Sequence, residues 1–213
     1  MRISCGFATR PCCDQPPCGD GWLSRSQGDV LRVMVADGIG HGINAHGIVQ
    51  SLQEQMAWIC RRSHPLIGLG ECMADLNRCL REKGPEAQAA VALADLNVRE
   101  QWIKALVVGN IEVNCHDAAG DCRHVPSLRG MVGGRFPDHL PVTQWPIGVG
   151  TLVGLYSDGL DMAATREGLS RLHDRGRHHH LDIQAEAEAM LQRFGKHNDD
   201  GLCALLHLRE EEP

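Results

Sequence analysis

Apolar residues recur at helical spacing in three stretches of the chain, and a fourth, shorter helix is predicted at 161–173 after the strand that ends in Asp158-Gly159. Because residues three and four positions apart share one face of a helix, each stretch predicts a helix that buries one side. Asn44 is the expected N-cap of the first helix, and Pro65 is expected near the start of the second. The predicted helices cover residues 45–62, 65–82, 161–173 and 182–194.

Shorter apolar runs bounded by turn residues predict strands between these helices. Residues 2–8 predict an edge strand, and residues 20–37 predict a hairpin with its turn at 27–29. Further strands are predicted at 89–94, 101–108, 111–115, 151–157 and 202–208, with only short ones in the loop-rich residues 116–150. Strands and pairs of helices in this order predict an α+β fold.

Length and charge exclude several classes of function. The chain has 213 residues, a formal net charge of −6 and a pI near 6.0, which suits a single domain over residues 1–213. The acidic balance argues against nucleic acid as a partner. No apolar run approaches the roughly 20 residues that span a membrane, and no secretory signal opens the sequence. We therefore expect a cytoplasmic protein without a membrane partner, as a monomer or weak dimer.

Most of the ten cysteines fall in apolar periodic stretches, where they serve as small hydrophobic residues. Cys12, Cys13 and Cys18 instead cluster in a proline-rich loop. They could bind zinc, but no second pair of Cys or His ligands follows at the usual spacing. A solvated loop is the preferred interpretation of His178–His180.

Acidic residues stand at several strand ends, next to Gly or another Asp. They are Asp20, Asp37, Asp158 and the pair Asp199 and Asp200. A tight hairpin places Asp20 and Asp37 side by side, and Gly38 leaves its own carbonyl free to approach an ion. Converging carboxylates favour hard cations such as Mg²⁺ or Mn²⁺ over zinc, and two such ions suit phosphoryl transfer. The alternative is that Asp-Gly serves only as a turn dipeptide.

Three motifs occur in the order VADGIGHG (35–42), GLYSDGL (154–160) and NDDGLCALLHLR (198–209). In this order they resemble the metal-dependent serine/threonine protein phosphatases, the type 2C or PPM family. The resemblance is to the bacterial branch that includes SpoIIE and RsbX, and the single-domain length is more similar to RsbX. The segments at 18–20 and 108–111 also look like that branch.

The resemblance implies a four-layer α-β-β-α sandwich, in which two antiparallel sheets are flanked by helices. It implies hydrolysis of phosphoserine or phosphothreonine by a water that bridges two Mn²⁺ or Mg²⁺ ions. Asp37 would bridge the ions, and Asp158 would join it in the catalytic centre. The implied metal ligands are Asp20, Asp37, Gly38, Asp158 and Asp199. The substrate would be a phosphorylated regulatory protein, either a STAS-domain antagonist or a stressosome component.

Some roles stay open at this stage. Asp200 is the alternative to Asp199 as a ligand. Arg10 could grip phosphate or be a solvated loop residue, and His41 could act as an acid, contact phosphate, or pack against the turn. Asp161 is expected as a helix N-cap rather than a ligand. The rival functions are a catalytically weak binding module with the phosphatase fold and a hydrolase of small phosphate esters.

Overall fold

Two β-sheets lie face to face, and two helices cover the outer face of each. The structure is a computed structural model, and it describes residues 1–62 and 66–210. The strands are β1 (Arg2–Arg10), β2 (Asp20–Gln27), β3 (Val30–Gly38), β4 (Ala89–Asn97), β5 (Trp102–Val108), β6 (Glu112–His116), β7 (Cys122–His124), β8 (Ser127–Leu128), β9 (Thr143–Pro146), β10 (Leu152–Tyr156) and β11 (Gly201–Arg209). The helices are α1 (Gly42–Arg62), α2 (Leu69–Lys83), α3 (Met162–Gly176) and α4 (Ile183–Phe194).

The two sheets differ in strand order. One sheet runs β1-β11-β10-β6-β7 and is antiparallel throughout. The other runs β2-β3-β4-β5-β8, with β9 also paired to β5, and it is antiparallel except for the short β5–β8 pair. Strand β1 lies at a sheet edge, which confirms the prediction for residues 2–8. Short strands also form within the loop-rich residues 116–150, as predicted.

Alternation along the strands builds the layers, because successive side chains of a strand point to opposite faces. On β3, Val33 and Val35 pack between the sheets, while Met34 and Ala36 pack under α1 and α2. The other sheet packs its outer face against α3 and α4 in the same way. The core therefore consists of three apolar layers. No helix among the described residues is long and apolar enough to cross a membrane.

Two predicted helix starts are wrong. Helix α1 begins at Gly42, so Asn44 lies within its first turn and is not the N-cap. Helix α2 begins at Leu69 after an extended Gly68, four residues later than predicted, and Pro65 lies outside the described residues. The delay has a physical cause, because the Ile67 carbonyl accepts a hydrogen bond from Arg32 Nη2 at 2.7 Å.

The ends of the later helices agree with the sequence. The Asp161 side chain accepts a hydrogen bond from the Ala164 N–H at 3.0 Å and caps α3. Gly195 is the C-cap of α4. Asp161 thus has the capping role that was expected of it.

A buried ion pair fixes the middle of β3, the strand that ends at Asp37. Arg32 and Asp95 are directly opposite in the β3–β4 register. Arg32 donates from Nε to Asp95 Oδ1 at 2.7 Å and from Nη2 to Oδ2 at 2.6 Å. The Arg32 side chain is only 1% exposed and that of Asp95 9%. The pair therefore ties β3 to β4 and, through Ile67, to the segment before α2.

We predict that Asp95→Ala lowers the free energy of unfolding by about 3–5 kcal/mol, because it leaves the Arg32 charge buried without a partner. The matched control is Arg99→Ala, which breaks the exposed Arg99–Asp29 pair and should cost less than about 1 kcal/mol. Urea unfolding of both variants measures the difference. Equal losses in the two variants would contradict the role given to the buried pair.

Candidate metal centre

Hairpin register brings the first two acidic residues together. Asp20 opens β2 and pairs directly with Asp37 near the end of β3. Asp20 is buried, with 5% of its surface exposed, and Asp37 is half-buried. The expected side-by-side placement of these two carboxyl groups is therefore present in the structure.

The second sheet supplies the other acidic residues. Asp158 follows the end of β10, and Asp199 and Asp200 stand just before β11. These two strands are neighbours in their sheet, so their acidic ends share one edge. Besides burial, the charges of Asp20 and Asp158 both act on the Asp37 carboxyl group and raise its pKa. The edge is thus a meeting point of carboxyl groups from both sheets.

Ser157 links the two sheets at this edge. It is fully buried, and its Oγ donates a hydrogen bond to Asp20 Oδ2 at 2.5 Å. The same oxygen accepts the Leu202 N–H at 2.9 Å. Ser157 therefore holds Asp20 of one sheet against β10 and β11 of the other.

Close backbone packing explains the glycine after Asp158. A Cβ atom placed on Gly159 would lie 1.7 Å from the carbonyl oxygen of Asp200. No side chain fits there, so glycine is what allows the Asp158 turn to approach the Asp199–Asp200 segment. The Asp-Gly pair here serves packing as well as turning.

The clustered carboxyl groups raise one another's proton affinity. Burial, followed by the charges of Asp20 and Asp158, raises the pKa of Asp37 to about 9. Burial also raises the pKa of Asp20 to about 7, although the Ser157 hydrogen bond acts in the opposite direction. Burial and the Asp158 charge raise the pKa of Asp199. A cation would relieve this repulsion.

Unpartnered oxygen atoms indicate where a cation fits. Asp20 Oδ1 and Asp200 Oδ2 are buried and accept no hydrogen bond, and such atoms are normally satisfied. Carboxylate oxygens suit Mg²⁺ and Mn²⁺, so the donor set fits these ions. Within residues 1–62 and 66–210, however, no three His, Cys, Asp or Glu side chains are grouped closely enough to hold an ion.

Asp199 and Asp200 differ in their surroundings. Asp200 is buried, and its Oδ1 accepts the Cys12 N–H at 2.8 Å. Asp199 is half-buried, and its Oδ1 accepts the Asp200 N–H at 3.0 Å. Asp200 thus also ties the cysteine-containing loop to the site, and Cys12 takes part through its backbone N–H rather than its thiol.

Two further side chains reach the site that sequence reasoning did not assign to it. Asn110 Nδ2 donates to Asp158 Oδ2 at 2.5 Å, and Lys196 Nζ donates to the Asp158 carbonyl at 2.6 Å. The sequence signal for Asn110 was the resemblance of the 108–111 segment to the same phosphatase branch. The only sequence signal for Lys196 was its position three residues before Asp199. Together they hold Asp158 from both sides.

The structure also settles the surroundings of Arg10 and His41. Arg10 ends β1, and its Nη2 donates to the Lys196 carbonyl at 2.5 Å. The interpretation of Arg10 as a solvated loop residue is therefore wrong. His41 is exposed, so its side chain is not packed against the turn.

The fold and this acidic edge define a class of protein. A model of the family described as stage II sporulation protein E (SpoIIE) matches residues 27–209. The chain therefore belongs to the SpoIIE family of PP2C-type protein phosphatases, which confirms the predicted family and enzyme class. Phosphatases of the PP2C type are metal-dependent and generally use Mn²⁺ or Mg²⁺. No curated protein matches the chain in sequence.

Solved structures share the fold at low sequence identity. A chain from the bacterial stressosome, described as a modular system adapted to control secondary messenger signaling, has 23% identity and a TM-score of 0.82 (97% of this chain, 100% of that one). RsbX in complex with magnesium has 16% identity and a TM-score of 0.76 (97% and 95%). The PP2C domain of SpoIIE from Bacillus subtilis, solved with a fragment of its regulatory domain, also has 16% identity and a TM-score of 0.76. The match covers 98% of this chain and 64% of that one. These likenesses confirm the predicted α-β-β-α sandwich.

We predict that the metal-free protein loses stability as pH rises. The folded-state pKa values of Asp20 and Asp37 lie above the usual value near 3.8, so between about pH 4 and 9 the folded state binds more protons than the unfolded state. The melting temperature should therefore be lower at pH 8.5 than at pH 7, and Mg²⁺ should reverse the loss. Asp37→Asn should show a smaller fall. Identical pH dependence in both proteins would contradict the prediction.

Proposed function

We propose that this chain hydrolyses phosphoserine or phosphothreonine on a bacterial regulatory protein, in a reaction that depends on Mn²⁺ or Mg²⁺. The observation that supports this most directly is the pairing of Asp20 with Asp37 in the β2–β3 register, where the charges of Asp20 and Asp158 act on Asp37. One buried and two half-buried carboxylates that repel one another are costly to ionise without cations. Membership of the SpoIIE family supports the same reaction class.

Each acidic residue has a proposed role. Asp37, between Asp20 and Asp158, would be shared by two ions, with Asp20 and the Gly38 carbonyl completing one set of ligands. Asp158 and Asp199 would complete the other set. Bound Mn²⁺ or Mg²⁺ supplies a water of lowered pKa and neutralises charge on the phosphoryl oxygens. Asp37 and Asp158 are therefore the residues on which catalysis should depend most.

Neighbouring groups of the chain would keep these ligands in place. Ser157 orients Asp20, and Asn110 orients Asp158 by donating to its Oδ2. Groups that orient metal ligands in this way commonly change metal affinity or activity 10–100-fold. Lys196 adds a positive charge beside Asp158 and Asp199, where it can attract an anionic substrate. Arg10 supports this segment by donating a hydrogen bond to the Lys196 carbonyl.

The substrate is proposed to be a STAS-domain antagonist or another stressosome component carrying a phosphorylated Ser or Thr. The proposal is supported by fold relatives that include RsbX and a chain from the bacterial stressosome. A single catalytic domain over residues 1–213, a cytoplasmic location and a monomeric or weakly dimeric state belong to the same proposal. The formal charge of −6 favours a protein partner over nucleic acid.

We predict that Mn²⁺-dependent hydrolysis of a phosphoserine peptide falls by about 100-fold or more in Asp37→Asn, since a direct ligand should matter more than its outer partners. Chelator should abolish the activity of the unmodified protein. Asp161→Asn is the matched control, because Asp161 caps α3 and should leave the rate within about twofold. Activity that survives both chelator and Asp37→Asn would contradict the proposed function.

Two measurements separate the rival functions. A phosphatase specific for proteins should hydrolyse a phosphoserine peptide with kcat/KM about tenfold or more above that for free phosphoserine, because the surrounding chain adds binding energy. Equal values would favour a hydrolase of small esters. Calorimetric titration with Mn²⁺ tests the binding module, which should bind the ion weakly and hold an unphosphorylated partner tightly.

A further inference from the structure

The loop that leaves the candidate metal centre exposes two large apolar side chains. Ile39 is 47% exposed and Ile43 is 76% exposed. They belong to the five-residue stretch Ile39-Gly40-His41-Gly42-Ile43, which carries no acidic or basic residue apart from His41. We name residues 39–43, the last two of which begin α1, the apical loop. A single exposed isoleucine is ordinary on a protein surface, but two in one short loop require an explanation.

The apical loop is attached to the site at both ends. At its start, the Ile39 N–H donates to the Gln88 carbonyl at 2.9 Å, and Gly38 precedes it at the end of β3. At its end, the first turn of α1 returns to the same place, since a Cβ atom on Gly38 would lie 2.6 Å from the Ala45 carbonyl oxygen. The backbone on both sides of the apical loop is therefore held at the end of β3 that carries Asp37.

Between these attachments the loop stands clear of the protein. Gly40 and Gly42 have φ values of +88° and +70°, and a Cβ atom on either would meet nothing within 4 Å. The two glycines turn the chain outward in a conformation that other residues adopt at a cost. The isoleucines are thus exposed because the backbone presents them, and no described element covers them.

The remaining exposed large hydrophobic side chains of the described residues are Trp58, Val142 and Val149. These three lie apart from one another and from residues 39–43: Trp58 is about four turns further along α1 than Ile43, Val142 precedes β9, and Val149 precedes β10. Among the described residues, only the apical loop carries such side chains in the segment that directly follows Asp37 and Gly38. Its position therefore connects it with the substrate of that cluster.

We propose that Ile39 and Ile43 bind apolar side chains that flank the phosphorylated residue of a protein substrate. This proposal rests on the proposed phosphatase function and adds a substrate class to it. The Ile39 Cα lies at most about 7 Å from that of Asp37, and an extended peptide advances about 3.3 Å per residue. Apolar residues two to four positions from the phosphoserine therefore reach the apical loop when the phosphoryl group is at the metal centre.

The test compares three substrates with Mn²⁺ present. Two are phosphoserine peptides of equal length and charge, one with Leu and Val at positions two to four on either side and one with Ser and Asn there. The third is p-nitrophenyl phosphate, which has no flanking chain. We expect kcat/KM for the apolar peptide to exceed that for the polar peptide about tenfold, the effect of burying one to two methylene groups' worth of apolar surface.

The variants Ile39→Ser, Ile43→Ser and the double variant should remove this preference. The ratio of kcat/KM for the apolar peptide to that for p-nitrophenyl phosphate should fall about tenfold in the double variant. In Ile43→Leu this ratio should stay close to that of the unmodified protein, because leucine preserves the apolar surface. Val149→Ser is the matched control, since Val149 is 44% exposed at the opposite end of β10 from Asp158, and it should leave the ratio unchanged.

The outcomes separate this proposal from the proposed function. Metal-dependent hydrolysis of p-nitrophenyl phosphate without a preference for the apolar peptide would overturn the role of the apical loop alone. Absence of hydrolysis with every substrate would overturn both proposals. Light scattering provides a further check on the oligomeric state. If the unmodified protein is a dimer that dissociates in Ile43→Ser, a second copy of the chain covers the apical loop. That result would overturn the proposal that the loop binds substrate.

Discussion

Mutual repulsion among carboxyl groups is the constraint on which the rest of this structure depends. Asp20, Asp37 and Asp158 meet at one edge of two facing sheets, where burial and their own charges raise the pKa of Asp20 and Asp37. Folding has to hold this unfavourable arrangement in place, and it does so with contacts that reach the site from both sheets. A cluster that is costly to assemble and leaves buried oxygen atoms unpartnered is understandable as a cation site in a metal-dependent phosphatase family.

The two-sheet architecture supplies the forces that oppose this repulsion. The serine before Asp158 bonds to Asp20 across the sheets, and Gly159 lets the Asp158 turn approach the segment that carries Asp199. Further back, the Arg32–Asp95 pair fixes β3 in register with β4. The position of each carboxylate thus follows from strand register and close backbone contact. The exposed apical loop lies at the same edge, where a substrate would meet both apolar side chains and the carboxylates.

Much of this arrangement could be predicted from the sequence, because it depends on local patterns. Helical and strand periodicity predicted the α+β order, and a tight hairpin was enough to place Asp20 beside Asp37. Contacts between distant loops left weaker signals. Asn110 and Lys196 lie 48 and 38 residues from Asp158, and only the assembled fold brings them to it. Tertiary contact also explains the late start of α2, since the Ile67 carbonyl is engaged by Arg32.

We propose that the acidic strand ends form one metal centre. A crystal structure of the protein grown with Mn²⁺, with anomalous scattering to locate the ions, would test this proposal. We expect two Mn²⁺ ions that share Asp37, with Asp20 and the Gly38 carbonyl near one ion and Asp158 and Asp199 near the other. Manganese bound elsewhere, or carboxylates that stay protonated and unliganded at saturating Mn²⁺, would contradict it.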